Sequence, residues 1–102
     1  MSGLDPAIHA VTRLELCGLL APVDDAEFSF LRERLGVSDS VLSKHAKALE
    51  QVDYLRIDKV TRNARQRTLL SLTPAGRHAF REHVAELRRL ASIADASHEV
   101  AG

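Results

Sequence analysis

Apolar positions along this chain recur with two different periods, and each change of period marks a new element. Ile8, Val11, Leu14, Leu16, Cys17, Leu19 and Leu20 predict a helix over residues 5–21 with two partly apolar faces. Asp5-Pro6 supplies its start, because aspartate accepts from orphan backbone N–H groups and proline has none to satisfy. Pro22 ends it. Residues 27–29 suit a very short strand, and residues 30–35 a second helix of about two turns that Gly36 stops by entering the left-handed region. Ser38 then caps a third helix, 38–52, in which Leu42, Ala46 and Leu49 share a stripe flanked by Val41, Ala48 and Val52. From residue 54 the period falls to two. Over 54–60, Leu55 and Ile57 fall on one side and Arg56 and Asp58 on the other, and over 67–73 a partner strand turns Thr68, Leu70 and Leu72 inward. Thr61-Arg62-Asn63-Ala64-Arg65 forms the turn, with Asn63 best able to take positive φ. Thr73-Pro74 repeats the cap-then-proline start and opens a last helix to about Ala91, striped by Phe80, Val84, Leu87 and Ala91 and widened by Leu90 and Ile93.

Composition agrees with a helix-rich core. The 102 residues are 45% hydrophobic, with three Phe, one Tyr and no Trp, so Leu, Val, Ile and Ala fill the interior. The chain is expected to be mainly α (α+β), one domain over residues 1–95 with a flexible tail at 96–102. The last helix carries more apolar surface than a monomer of this size needs. It and the first helix are expected to build a two-fold homodimer interface. The lone Cys17 excludes an internal disulfide and a multi-cysteine zinc site, and its apolar surroundings predict a buried thiol. Asp5, His9, Arg13 and Glu15 interrupt the amino terminus, so it is neither a secretory core nor a membrane span. A cytoplasmic protein with no membrane partner is the expectation.

Charge is what turns this fold pattern toward a function. The whole chain is neutral, with 14 basic and 14 acidic residues. Residues 44–67 hold seven Lys and Arg against three Asp and Glu, a local +4, which leaves seven against eleven, or −4, elsewhere. A basic patch on an acidic body places one face against phosphates. On the third helix Ser40, Ser43, Lys44, Lys47 and Gln51 lie opposite the apolar stripe, and its first turn adds Ser38 and Asp39. Small side chains admit a helix to the floor of a major groove, serine hydroxyls bond base edges or phosphates, and lysines reach phosphate or guanine. Asp39 suits the helix N-terminus, or accepts from cytosine N4. His45, between stripe and exposed face, suits either a DNA contact or the core edge. Arg62 and Arg65 occupy the hairpin tip, where arginines fit a narrow minor groove.

A short helix, a glycine turn, a serine-capped helix and a basic hairpin resemble the winged-helix transcriptional regulators of the MarR and ArsR type, and within them a small bacterial winged-helix subgroup that dimerises through one C-terminal helix. The resemblance rests on LDPAIHAVTRLELCGLL (4–20), LGVSDSVLSKHAKALE (35–50), YLRIDKV (54–60) and RTLLSLTPAGRHAF (67–80). It implies a winged helix-turn-helix with a two-stranded wing and a long C-terminal dimerisation helix. It further implies that Ser38, Asp39, Ser40, Ser43, Lys44 and Lys47 enter the major groove, and that Arg62, Arg65 and Arg67 serve the wing. Asp53 stands where such regulators often carry glycine, and Ala64 where the wing tip often reads Asp-Gly-Arg.

The expected function is therefore a sequence-specific regulator of transcription, a repressor, binding double-stranded DNA as a homodimer without a cofactor and with any small-molecule effector unidentified. Enzymatic chemistry finds no glycine-rich phosphate loop, nucleophile triad or paired carboxylates here. Two alternatives remain in view. One is a winged helix that docks protein instead of DNA. The other is an ArsR-like metal sensor using His83 and Glu86 on one helical face, although Gly76 precedes His78 where an Asp-x-His pair would complete the ligand set.

Overall fold

The computed structural model describes residues 4–101. Its elements are α1 (Val11–Leu20), β1 (Ala26–Glu27), α2 (Phe28–Leu35), α3 (Asp39–Gln51), β2 (Leu55–Arg62), β3 (Arg65–Leu72) and α4 (Pro74–Ala101). One antiparallel sheet has the order β1-β3-β2. The core gathers Ile8, Leu16, Cys17, Leu20, Leu31, Leu42, Ala46, Leu49, Leu55, Leu70, Leu72 and Ala79, so helices pack over one face of a small sheet. This is the expected fold, helices with a two-stranded wing and a long C-terminal helix.

Several boundaries differ from the sequence reading, the first two for tertiary reasons. Asp5-Pro6 opens only a single turn, in which the Ile8 and His9 N–H groups donate to the Asp5 carbonyl, and Ala10 is extended before α1 begins at Val11. The break lets Ile8 enter the core completely and lets Asp5 bond elsewhere; tertiary contacts override local start signals. β1 falls at Ala26–Glu27, not 27–29, so α2 begins at Phe28 and not at residue 30; β1 pairs with β3, Ala26 opposite Leu70 and Glu27 opposite Leu69. β3 is thus a central strand, and Leu69 is buried as well as Leu70 and Leu72, flanked on its face by Glu27 and Asp58 across the two ladders. α4 continues to Ala101, ten residues beyond the end read from its stripe, because nothing after Ala91 breaks a helix. Its backbone includes residues 96–101 of the expected tail; Gly102 lies outside the described residues.

Three backbone junctions hold α3 and the hairpin in place. Gly36, at φ 66°, closes α2 with its N–H on Arg32 and Glu33 carbonyls, and Ser38 accepts from the Val41 N–H to open α3. At the far end Asp53 takes φ 62° while its N–H donates to the Glu50 carbonyl and that of Tyr54 to the Leu49 carbonyl. This is a Schellman closure with an L-residue where glycine is usual. The third junction joins β2 and α4. Thr73 donates its N–H to the Tyr54 carbonyl (3.1 Å) and its hydroxyl to the Asp53 carbonyl, and accepts the Gly76 N–H at 2.9 Å as the cap of α4. A Cβ on Gly76 would lie inside the Tyr54 carbonyl, 2.8 Å from its carbon, so only glycine fits.

The amino-terminal turn is fastened by a second polar set. Asp5 donates its N–H to His83 Nδ1 (3.0 Å), and its carboxylate accepts from the Ala7 N–H (2.9 Å) and the Tyr54 hydroxyl (2.6 Å). Arg77 donates to the carbonyls of Ala21 (2.7 Å) and Val23 (2.8 Å), tying α4 to the exit of α1. His83 is fully buried, its ring edge-on to His9, and its Nε2 is unpartnered among the described residues. Burial, with the neighbouring His9, holds its pKa below the ordinary imidazole value, against a smaller opposing effect of Asp5.

Two stability outcomes follow from these junctions. Gly76→Ala should lower the denaturant midpoint by an amount equivalent to about 1–3 kcal/mol of overpacking, read by chemical unfolding; an unchanged midpoint contradicts the close approach. For His83 the folded value is depressed, so on acidification the unfolded chain binds the proton first. Its contribution is complete above the ordinary value of about 6.5 and is lost as pH falls below it. Protonating Nδ1 also removes the acceptor for the Asp5 N–H. Thermal unfolding should therefore show a smaller drop in midpoint between about pH 7.5 and 5.5 for His83→Asn, which keeps an acceptor but cannot titrate, than for the parent protein.

Candidate nucleic-acid interface

α3 carries its apolar stripe inward and leaves a polar face outward, because residues three and four apart share a side. Leu42, Ala46 and Leu49 are buried, whereas Ser40, Lys44, Lys47 and Gln51 are all exposed. Val41 differs from the reading that placed it beside the core. It is 38% exposed, next to Ser40 and one turn from Lys44, and adds an apolar spot of the kind that meets a thymine methyl.

The other α3 candidates are engaged in distinct ways. Ser38 uses its hydroxyl oxygen as the helix cap and contacts the Ser40 hydroxyl at 3.2 Å. Asp39 is bound by the Arg32 guanidinium at 2.8 Å, a link from α2 to α3 that the linear sequence did not reveal. His45 sits at the core edge and accepts the Arg13 Nε–H on its Nδ1 at 3.1 Å; burial, then Arg13 and Lys44, keep its pKa below the usual imidazole value. Arg13 also donates to the Ala7 carbonyl, so one guanidinium joins α1, the amino-terminal turn and α3.

The hairpin extends farther than its alternation suggested, with Arg62 paired directly to Arg65. That leaves a two-residue loop, Asn63 and Ala64, both at positive φ (53° and 62°). Such a loop matches the twist of the strands it joins. The price is paid at Ala64, where a Cβ in the left-handed region costs about 1–2 kcal/mol. Arg62 and Arg65 are exposed, and as opposed residues they share one face. Like charges directly opposed weaken a hairpin, and no carboxylate lies beside either guanidinium among the described residues. Arg67 lies two residues farther along β3, opposite Val60, half-buried and 3.8 Å from Glu27. It belongs to the wing strand and not to the two-arginine tip.

One residue escaped the sequence reading. Leu55, Ile57 and Lys59 alternate onto one side of β2, and across the ladder Ile57 opposes Leu70 while Lys59 opposes Thr68. The face that is apolar at the core becomes polar one rung farther out. There it meets α3 in a cleft of about 250 Å³ lined by Phe28, Ser43, Ala46, Lys47, Ile57, Lys59, Thr68 and Leu70. The signal was present in the two-residue period, but nothing in the sequence placed α3 beside that rung.

Charges across the molecule divide by partner. Arg32, Arg56, Arg67 and Arg89 each lie beside a carboxylate. Lys44, Lys47, Lys59, Arg62 and Arg65 have no such pairing among the described residues, and neither do Arg13, Arg34, Arg77, Arg81 and Arg88, which lie on α1, α2 and α4. The proposed metal pair is engaged separately, His83 with Asp5 and Glu86 with both Nε and a terminal nitrogen of Arg89. Among the described residues no three His, Cys, Asp or Glu side chains gather to hold a metal. Cys17 is buried, and burial, then the charge of Asp5, push its thiol up to about 11, away from thiolate chemistry at neutral pH. No described helix is long and apolar enough to cross a membrane.

Comparison with known proteins bears on the same stretch. Residues 12–91 match the family described as winged helix DNA-binding domain. An uncharacterised protein of Methanocaldococcus jannaschii is 30% identical over 82 residues, 80% of this chain and 89% of that protein. Among solved structures, a transcriptional regulator homologue from Pyrococcus horikoshii superposes with a TM-score of 0.83 at 24% identity, covering 87% of this chain and 88% of that one. The PcaV transcriptional regulator of Streptomyces coelicolor, solved with its natural ligand, gives 0.69 at 21% identity over 88% of this chain and 63% of its own. ZitR, a zinc-responsive MarR family member of Lactococcus lactis, gives 0.63 at 21% over 88% and 62%. The fold is shared with these proteins, and this chain belongs to the winged helix DNA-binding domain family.

Proposed function

We propose that this protein is a sequence-specific regulator of transcription, a repressor, that binds duplex DNA as a homodimer. α3, with its caps spanning 38–52, enters the major groove, presenting Ser38, Asp39, Ser40, Ser43, Lys44 and Lys47. The wing, 61–67, lies at the adjacent minor groove with Arg62 and Arg65 inserted and Arg67 supporting them from β3. The observation that carries this reading is the wing tip, where Arg62 directly opposes Arg65 with no carboxylate partner for either among the described residues. A fold gains nothing from that repulsion, and a phosphate backbone relieves it. Asp39, held by Arg32, acts first as a brace that fixes the entry of α3 and lowers the anionic cost of approaching DNA.

Dimerisation completes the reading. α4 has 28 residues, about 42 Å of helix, and its outer part exposes Leu90 at 40% and Ile93 at 49% along the stripe that begins at Phe80 and Val84. Val11, at the start of α1, is 70% exposed. Covering these positions with a second copy sets two α3 helices on a pseudo-palindrome with half-sites about one helical turn, near 34 Å, apart. Repression then follows from occupancy of a promoter.

Two measurements test this. Affinity for a duplex selected from random fragments should fall steeply with salt, and Lys47→Ala or Arg65→Ala should each reduce the log–log slope by about 0.9, one phosphate contact. A slope near zero for the parent protein removes the DNA reading. In sedimentation, the parent should run at twice its 11.2 kDa chain mass, whereas Leu90→Glu with Ile93→Glu should run as a monomer and lose affinity for the selected duplex; a parent that stays monomeric at micromolar concentration rules out the dimer.

A further inference from the structure

The cleft between α3 and the hairpin is lined by four side chains able to donate hydrogen bonds, Ser43 and Lys47 from the helix and Lys59 and Thr68 from the sheet, and by no carboxylate. Their placement follows from two independent periodicities. Ser43 and Lys47 are four apart on α3 and so stand one above the other. Lys59 and Thr68 are directly opposed in the β2–β3 ladder and so share a face. The floor beneath them, Phe28, Ala46, Ile57 and Leu70, offers no acceptor side chain that could neutralise either ammonium. The acids of the sheet are occupied elsewhere, Asp58 beside Arg56 and Glu27 beside Arg67. Two lysines from different elements thus converge on one concave surface without a counter-charge among the described residues, an arrangement that self-repulsion opposes and an anion stabilises.

The geometry points to this cleft as the seat of a single backbone phosphate of bound DNA, gripped jointly by Lys47 and Lys59 with the Ser43 and Thr68 hydroxyls as further donors. The inference rests on the DNA-binding reading and deepens it. A phosphodiester fits better than a base edge, because all four lining polar groups can donate to phosphate oxygens and two carry full positive charge, the combination that positions a protein on a duplex without reading sequence. The seat lies between the major-groove helix and the wing. One phosphate held there fixes the register of both, and Lys59 becomes a positioning contact that belongs to neither the recognition face nor the wing tip.

The test uses the full chain and the duplex selected above, with binding followed by fluorescence anisotropy over a series of salt concentrations. Lys59→Ala should weaken binding several-fold on the selected duplex and on an unrelated one alike, and should reduce the log–log slope by about 0.9. Lys59 is an exposed strand residue, so folding can be checked by the unchanged thermal midpoint. Replacing phosphates one at a time by neutral methylphosphonates should reveal one position at which the parent falls to the level of Lys59→Ala, and at which Lys47→Ala and Lys59→Ala cause little additional loss. If the parent binds DNA but Lys59→Ala keeps the full slope, or if the two lysines map to different phosphates, the shared seat is wrong while the DNA-binding reading stands. Saturable shifts of the Ser43 and Thr68 amide signals with millimolar inorganic phosphate, and no sensitive position on the duplex, would reassign the cleft to a small free anion and overturn the proposal. Failure of the parent to bind any duplex at low salt removes the DNA-binding reading and this inference with it.

Discussion

The Tyr54 carbonyl sets the geometry on which the rest of the molecule depends. It accepts the Thr73 N–H and lies so near Gly76 that no side chain fits at that position. Thr73 meanwhile binds the Asp53 carbonyl and caps α4. Through these few atoms the exit of α3, the base of the hairpin and the start of α4 share one point. Rotation of α3 against the hairpin would break a buried backbone hydrogen bond and leave its donor unpaired, which costs more than the bond itself contributes. The relative placement of helix and wing is therefore a property of the backbone, and the exposed side chains are free to meet a ligand.

Around that point the polar residues inside the molecule act as fasteners. Asp5 reaches both Tyr54 and His83, Arg13 reaches His45 and the amino-terminal turn, and Arg77 closes the end of α1. Two of these fasteners use a histidine nitrogen as acceptor, and both histidines have pKa values lowered first by burial. A neutral imidazole is required for each bond, and burial favours that form at both. The opposite holds for the outward cations. They are left uncompensated on α3 and the hairpin, and local repulsion there is the cost of a surface suited to polyanions. Segregating a +4 segment from a −4 remainder keeps the overall molecule neutral while leaving that surface charged.

Much of the fold was legible because its signals are local. The stripe Leu42, Ala46, Leu49, the Ser38 cap, the Gly36 stop, the alternation of Leu55 and Ile57, and the Thr73-Pro74 start depend on neighbours within four residues, and each lies in the element it announced. Even the two departures from glycine were informative. Asp53 and Ala64 both take the positive φ that glycine favours, so the backbone demand survived the change of residue. The helix start at Asp5-Pro6 misled for the converse reason. Its capping chemistry is real, but it closes one turn only, because Ile8 and Asp5 satisfy contacts far away in the chain.

What the sequence by itself determined was the order and type of the elements, the inward stripe, and the concentration of positive charge between residues 44 and 67, since period and composition are properties of the linear chain. What the tertiary structure decided was which of those charges stand together. Arg67 joins Glu27 because β1 adds itself to β3, Asp39 joins Arg32 because the chain turns at Gly36 between α2 and α3, and Lys59 lines one cleft with Lys47 because α3 packs beside β2. Each pairing spans at least seven residues of sequence, beyond the reach of helical or strand periodicity, and is fixed only once apolar packing has brought the elements into contact.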